Sequence, residues 1–133
     1  MATIIKTWAA AVELAKTDAY GGAVADLAAD QKYDYTGDVD LETAGQQGAH
    51  VTIAYRGSNA LDDLIIDVFA SLDGSTYDTE PFERLRLMND GSPRQRSIVV
   101  KDVAHFRIGL KTTGTNTTFD YSITHQRWIL TNA

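Results

Sequence analysis

Every-other-residue alternation of apolar and polar positions dominates the chain after residue 50 and predicts β-strands. Val51-Thr52-Ile53-Ala54-Tyr55 alternates until Arg56-Gly57-Ser58-Asn59 breaks it. The run from Leu64 to Leu72 places Leu64, Ile66, Val68, Ala70 and Leu72 on one face and Ile65, Asp67, Phe69 and Ser71 on the other. Asp73-Gly74 is a hairpin signal, extended by Ser75-Thr76. Phe82 to Met88 alternates again with its arginines facing water, and Asn89-Asp90-Gly91-Ser92-Pro93 turns the chain. Ser97 to Lys101 makes a short strand. Phe106 to Lys111 directs Phe106, Ile108 and Leu110 inward. After the turn Thr113-Gly114-Thr115-Asn116, Phe119 to Ile123 opens a last strand that extends towards Leu130. Six strands with one dry face each need a second sheet to cover them. The expected fold is all-β, an antiparallel β-sandwich, jelly-roll-like, with an extended N-terminal arm.

The first 50 residues have a different texture, rich in Ala, Asp and Gly. Residues 1–30 read as an arm or leader and residues 31–133 as the sandwich domain. Thr3 to Trp8 suits a strand or an extended arm. Ala9 to Ala15 contains helix formers without a capping box, and Ala23 to Ala29 suits one helical turn. Tyr33 to Glu42 supplies a further strand with Val39 and Leu41 inward. The leader either covers a sheet edge or reaches a neighbouring subunit. Ile4, Ile5 and Trp8 call for a cover, because burying each contributes roughly 1.5–3 kcal/mol.

Composition narrows the function. The chain has 133 residues, enough for one domain with its own core, and a formal net charge of -6, which disfavours phosphate backbones. Nucleic acid is not an expected partner. With no cysteine there is no thiolate nucleophile, disulfide framework or Cys-ligated zinc. Glu13, Lys16 and Asp18 interrupt what would be the apolar region of a signal peptide, and no apolar run has membrane-spanning length. Neither export by the common route nor a membrane partner is expected.

Catalytic signatures are missing. There is no Gly-x-Ser-x-Gly elbow and no Gly-rich phosphate loop with its lysine. His50, His105 and His125 stand apart without the spacing of metal ligands, and read as half-buried, hydrogen-bonded residues. Asp62, Asp63, Asp67, Asp73 and Asp78 crowd one stretch, but Asp73 to Asp78 lacks the ligand spacing of a calcium loop, and hairpin chemistry accounts for Asp73-Gly74. A glycosidase carboxylate pair is defined by a three-dimensional separation; solvated faces account for these acids in the sequence. Asn116-Thr117-Thr118 is a glycosylation acceptor only in a secretory pathway. Tyr33, Tyr35, Tyr55, Tyr77, Tyr121, Trp8 and Trp128 suit sugar stacking if their rings line up exposed on one sheet, and core packing otherwise. No catalytic residue, metal or cofactor is expected.

Three segments and a closing triplet carry a resemblance. Asp40 to Ile53, Ala70 to Asp78, Lys101 to Gly109 and Gln126-Arg127-Trp128 together resemble tailed-bacteriophage virion structural proteins in pattern and order over roughly residues 38–130. The resemblance implies a capsid decoration (cement) protein made in the host bacterial cytoplasm and carried on the virion. It would bind the major capsid protein as a homo-oligomer, a trimer above all. Partner-binding candidates are Ile4, Ile5 and Trp8 in the arm, with Trp128, Ile129 and Leu130 near the other terminus; for these last three, ordinary strand core is the competing reading. The alternatives are a tail or baseplate component and a carbohydrate-binding β-sandwich module.

Overall fold

The computed structural model describes residues 4–14 and 25–132. Among these residues there are eleven strands: β1 (Ile4–Trp8), β2 (Val12–Glu13), β3 (Ala25–Leu27), β4 (Asp34–Tyr35), β5 (Val39–Asp40), β6 (Gly48–Gly57), β7 (Leu64–Ser71), β8 (Glu83–Leu87), β9 (Arg94–Lys101), β10 (His105–Thr112) and β11 (Phe119–Asn132). Among the described residues the one helical element is a single 3-10 turn, Thr43–Gly45. All strand pairs are antiparallel and form two sheets. One sheet has the order β1-β11-β6-β9, with β2 and β3 continuing β1 along the same edge of β11; the other runs β4-β10-β7-β8, with β5 beside β4 on β10. Counting β1 to β3 as one interrupted strand and β4 to β5 as another gives the eight strands and two four-strand layers of a jelly roll.

The inward set is the one that alternation dictates. Val51, Ile53, Leu64, Ile66, Val68, Phe106, Ile108 and Leu110 are fully buried between the layers, and Val39 and Leu41 join them. The six strands expected after residue 50 are all present, and the last runs past Leu130 to Asn132.

Three expectations change. Leu72 does not follow Leu64, Ile66 and Val68 inward but is 89% exposed. β7 stops at Ser71, whose hydroxyl accepts from the Gly74 amide at 3.0 Å and donates to the Thr76 carbonyl at 2.6 Å, so the turn starts one residue earlier than the alternation implies. The opposite face of β7 is not wet either, since Asp67 and Phe69 are buried. In the leader, the described parts of both helical segments are extended: Val12–Glu13 and Ala25–Leu27 pair with β11. A 14-residue strand offers more ladder than β6 alone can use on one side, and a backbone that fills its free edge satisfies its own polar groups there. Residues 15–24 lie outside the described residues.

Candidate functional site

The six partner-binding candidates, drawn from both ends of the chain, meet on one ladder. The β1–β11 register pairs Ile5 with Thr131, Lys6 with Leu130, Thr7 with Ile129 and Trp8 with Trp128. On β11 the odd positions Phe119, Tyr121, Ile123 and His125 are buried inward, so Trp128 and Leu130 belong to the outer surface of the sheet. Trp128 is nevertheless only 5% exposed. Its ring lies over Gly48, where an added Cβ would meet it at 2.3 Å, and Trp8 packs on it with ring centroids 5.4 Å apart. The Lys6 ammonium stands 4.4 Å from the Trp128 ring centroid, and His50 lies 6.2 Å from the Trp8 ring. The core reading of Trp128 therefore holds for its burial but not for its place, outside the layers. Ile129 is half-buried, while Ile4, Ile5, Trp8 and Leu130 remain 66%, 45%, 45% and 50% exposed. The ladder is an apolar rim whose outer backbone edge, along β1, pairs with no other described strand. Gly48 and Lys6 escaped the sequence reading. Only the cross-strand register, a long-range property, joins them to the tryptophans.

A second aromatic cluster covers the outer face of the five-stranded sheet. Tyr33, Tyr35 and Phe69 lie over Gly109; a Cβ there would meet Phe69 and Tyr33 at 2.9 Å and Tyr35 at 3.2 Å. Ring centroids within the trio are 5.4 to 5.8 Å apart. Cations occupy the ring faces: the Arg107 guanidinium sits 3.8 Å from the Tyr35 centroid and 4.2 Å from that of Tyr77, and Lys111 sits 4.5 Å from Tyr33. Asp67, beneath this layer, receives two hydrogen bonds from Arg84 at 2.7 and 2.8 Å and one from the Tyr33 hydroxyl. Burial alone would raise the Asp67 carboxyl; the bonds from Arg84 and Tyr33 outweigh it and hold the group below the ordinary carboxylate value. Tyr33 moves up, through burial and its acidic partner. Tyr55 and Tyr121 belong instead to the core between the sheets.

The histidines remain apart. His105 bonds Asp38 through Nδ1 at 2.7 Å, with Glu42 and Asp40 at 3.5 and 3.9 Å from Nε2, and the Asp38 bond raises its pKa. His125 is buried with Nδ1 unpartnered; burial, with Arg127 nearby, lowers its pKa. His50 is exposed. Of the crowded aspartates, Asp62, Asp63, Asp67 and Asp73 have hydrogen-bonded carboxylates. Asp62 accepts from the Asn116 and Thr117 amides, Asp63 from Arg86 and the Asn89 amide, and Asp73 from the Ser75 and Thr76 amides. Among the described residues no group of three or more His, Asp or Glu side chains is placed to hold a metal ion.

No protein-family model and no curated protein matches this sequence. Solved structures do match in fold. The CBM36-1 domain of a multidomain xylanase from the hindgut metagenome of Trinervitermes trinervoides aligns at TM-score 0.52 and 15% identity, over 92% of this chain and 96% of that one. A chain of the structure of infectious bursal disease virus, Gx strain, aligns at TM-score 0.54 and 9% identity, over 96% of this chain and 32% of that one. A family two carbohydrate esterase from Cellvibrio japonicus aligns at TM-score 0.49 and 10% identity, over 98% of this chain and 35% of that one. The chain thus spans about a third of the length of the viral chain and of the esterase. At these identities the likeness is one of fold: the chain is an antiparallel jelly-roll sandwich, the architecture of a carbohydrate-binding module and of part of a virus chain alike.

Proposed function

We propose that this is a non-enzymatic virion structural protein that binds and stabilises a phage capsid shell as a decoration (cement) protein. Its partner is the major capsid protein, and it acts as a homo-oligomer on the virion after synthesis in the host bacterial cytoplasm. The observation that carries this reading is the β1–β11 rim. Four large apolar side chains stay about half exposed or more on this ladder, Ile4, Ile5 and Trp8 along β1, whose outer edge pairs with no other described strand, and Leu130 on β11 beside it. A soluble sandwich has no use for such a rim, whereas a protein that works by contact area does. Covering Ile4, Ile5, Trp8 and Leu130 completes their burial, for which the full transfer is worth roughly 1.5–3 kcal/mol per side chain. Repetition over linked copies multiplies a modest patch into tight attachment.

The test is co-sedimentation with shells purified from a phage lacking this protein. The Ile5→Ala/Trp8→Ala variant is expected to bind at least tenfold more weakly while its far-ultraviolet spectrum stays that of the native sandwich. Full occupancy by that variant would end the proposal.

A second reading, carbohydrate binding, is favoured by one specific observation: Tyr33, Tyr35 and Tyr77 stand half-buried on the outside of one sheet. It ranks second because Arg107 and Lys111 already occupy the ring faces a sugar would stack on. A glycan array probed with native protein and with Tyr35→Ala decides it; silence of the native protein removes the reading.

A further inference from the structure

The strands that close the two sides of the sandwich carry different sets of charged residues. β8 and β9 are the last strands of their respective sheets and close one side. They carry Arg84, Arg86, Arg94 and Arg96, with Glu83 the one acid on either strand. The other side is closed by β3, β4 and β5, and residues 25–42 there hold Asp26, Asp30, Asp34, Asp38, Asp40 and Glu42 against the single base Lys32. In a chain of net charge -6 an arginine-lined side runs against the overall balance.

Both sides are accessible. Between β8 and β9 lies a cleft of about 470 Å³ whose walls include Arg86, Arg94, Arg96 and Met88. Tyr55 forms its floor and donates its hydroxyl to the Met88 carbonyl at 2.6 Å. Arg84, Arg86 and Arg94 each bond one carboxylate, Asp67, Asp63 and Asp90, yet their side chains stay 53%, 67% and 48% exposed. A guanidinium offers five N–H donors, so one carboxylate leaves donors to spare. Arg96 is exposed and makes no ion pair among the described residues. On the acidic side the Glu42 side chain is 66% exposed and Asp30 is exposed, and His105 can offset one of those charges.

We infer that the β8–β9 side of one copy docks on the acidic 25–42 side of a second copy. Two different patches on opposite sides give a heterologous, head-to-tail contact, which closes into a ring when the rotation between copies permits and extends as a chain when it does not. This deepens the shell-binding proposal by giving the homo-oligomer its interface. It is tested without shells, so the two can fail separately.

The experiment is light scattering of the full chain after size-exclusion chromatography. In 50 mM salt the native protein is expected at a multiple of the single-chain mass. In 1 M salt, where charges are screened beyond about 3 Å, it falls towards one chain. Arg94→Glu/Arg96→Glu and Asp30→Lys/Glu42→Lys are each expected to associate at least tenfold more weakly. Arg96→Glu alone, which has no ion pair to lose among the described residues, weakens association in the same direction and guards against a folding artefact. Mixing the two double variants in equal amounts brings the intact β8–β9 side of one against the intact 25–42 side of the other, so association above the single-chain mass returns through that native junction. A native protein that stays at single-chain mass in low salt overturns the inference. So does either double variant keeping the native mass, or a mixture that fails to reassociate.

Discussion

The two outer faces of the sandwich solve one packing problem in opposite ways. Each lays aromatic rings over a glycine, Trp128 and Trp8 at Gly48 on one sheet, Tyr33, Tyr35 and Phe69 at Gly109 on the other, and each sets a cation against the rings. The tyrosine cluster is closed by a buried carboxylate with three hydrogen bonds. The tryptophan rim has no such clasp and ends in exposed Ile4, Ile5 and Leu130. A polar network with every partner supplied consolidates a surface cluster, whereas an apolar cluster without one is left open to cover by another molecule.

The largest effect expected from breaking this contrast is on the clasp. Arg84→Ala leaves Asp67 buried with only Tyr33 for company and should cost about 2–3 kcal/mol in urea unfolding, allowing for the half-exposed arginine. The loss has a pH signature. The Asp67 pKa is depressed in the fold, so its stabilisation is present above the unfolded carboxylate value near 3.8 and disappears as pH falls through the lower folded value. The gap between native and variant should therefore narrow below about pH 4. A constant gap from pH 7 to pH 3 would mean that the arginine acts by packing alone.

The two glycines sharpen the comparison at intermediate size. Gly48→Ala drives a Cβ against the Trp128 ring and to 2.9 Å from the Val100 carbonyl oxygen, whereas Gly109→Ala meets only rings at 2.9 Å or more. Both should destabilise by about 1–3 kcal/mol, Gly48→Ala the more. Only Gly48→Ala should also quench or shift the tryptophan emission, because both tryptophans of the chain sit at that site. Equal spectra for the two variants would contradict the placement of Trp128. The smallest effect belongs to Trp8→Ala. With the ring 45% exposed, the isolated fold should lose only about 1 kcal/mol, measured by thermal unfolding. A loss as large as that of Arg84→Ala would show that the rim is a structural seal.

Legibility in the sequence followed the range of the interaction. Phe106, Ile108 and Leu110 were readable as core because their own strand states which face is apolar. Asp67 and Phe69 were not, because the rings that cover them come from Tyr33 and Tyr35 on β4 and the turn before it, more than thirty residues upstream. The candidate rim was half readable. Ile4, Ile5 and Trp8 announced a need for cover, and Trp128 to Leu130 read as ordinary strand core before contact until the β1–β11 register paired them. The leader misled because weak helical propensity was set against the free edge of β11, and tertiary hydrogen bonding overrides propensity of that size.

By itself, the amino-acid sequence determined a two-layer antiparallel sandwich without disulfides. Period-two alternation and turn residues act locally, and burial of one face per strand leaves few other architectures open. Tertiary structure alone decided which outward residues are dry, that both tryptophans share one glycine-floored site, and that the arginine-bearing strands β8 and β9 close the side opposite the acidic residues 25–42. Each of these depends on strands far apart in the chain lying side by side, and local pattern carries no information about which strand will be the neighbour.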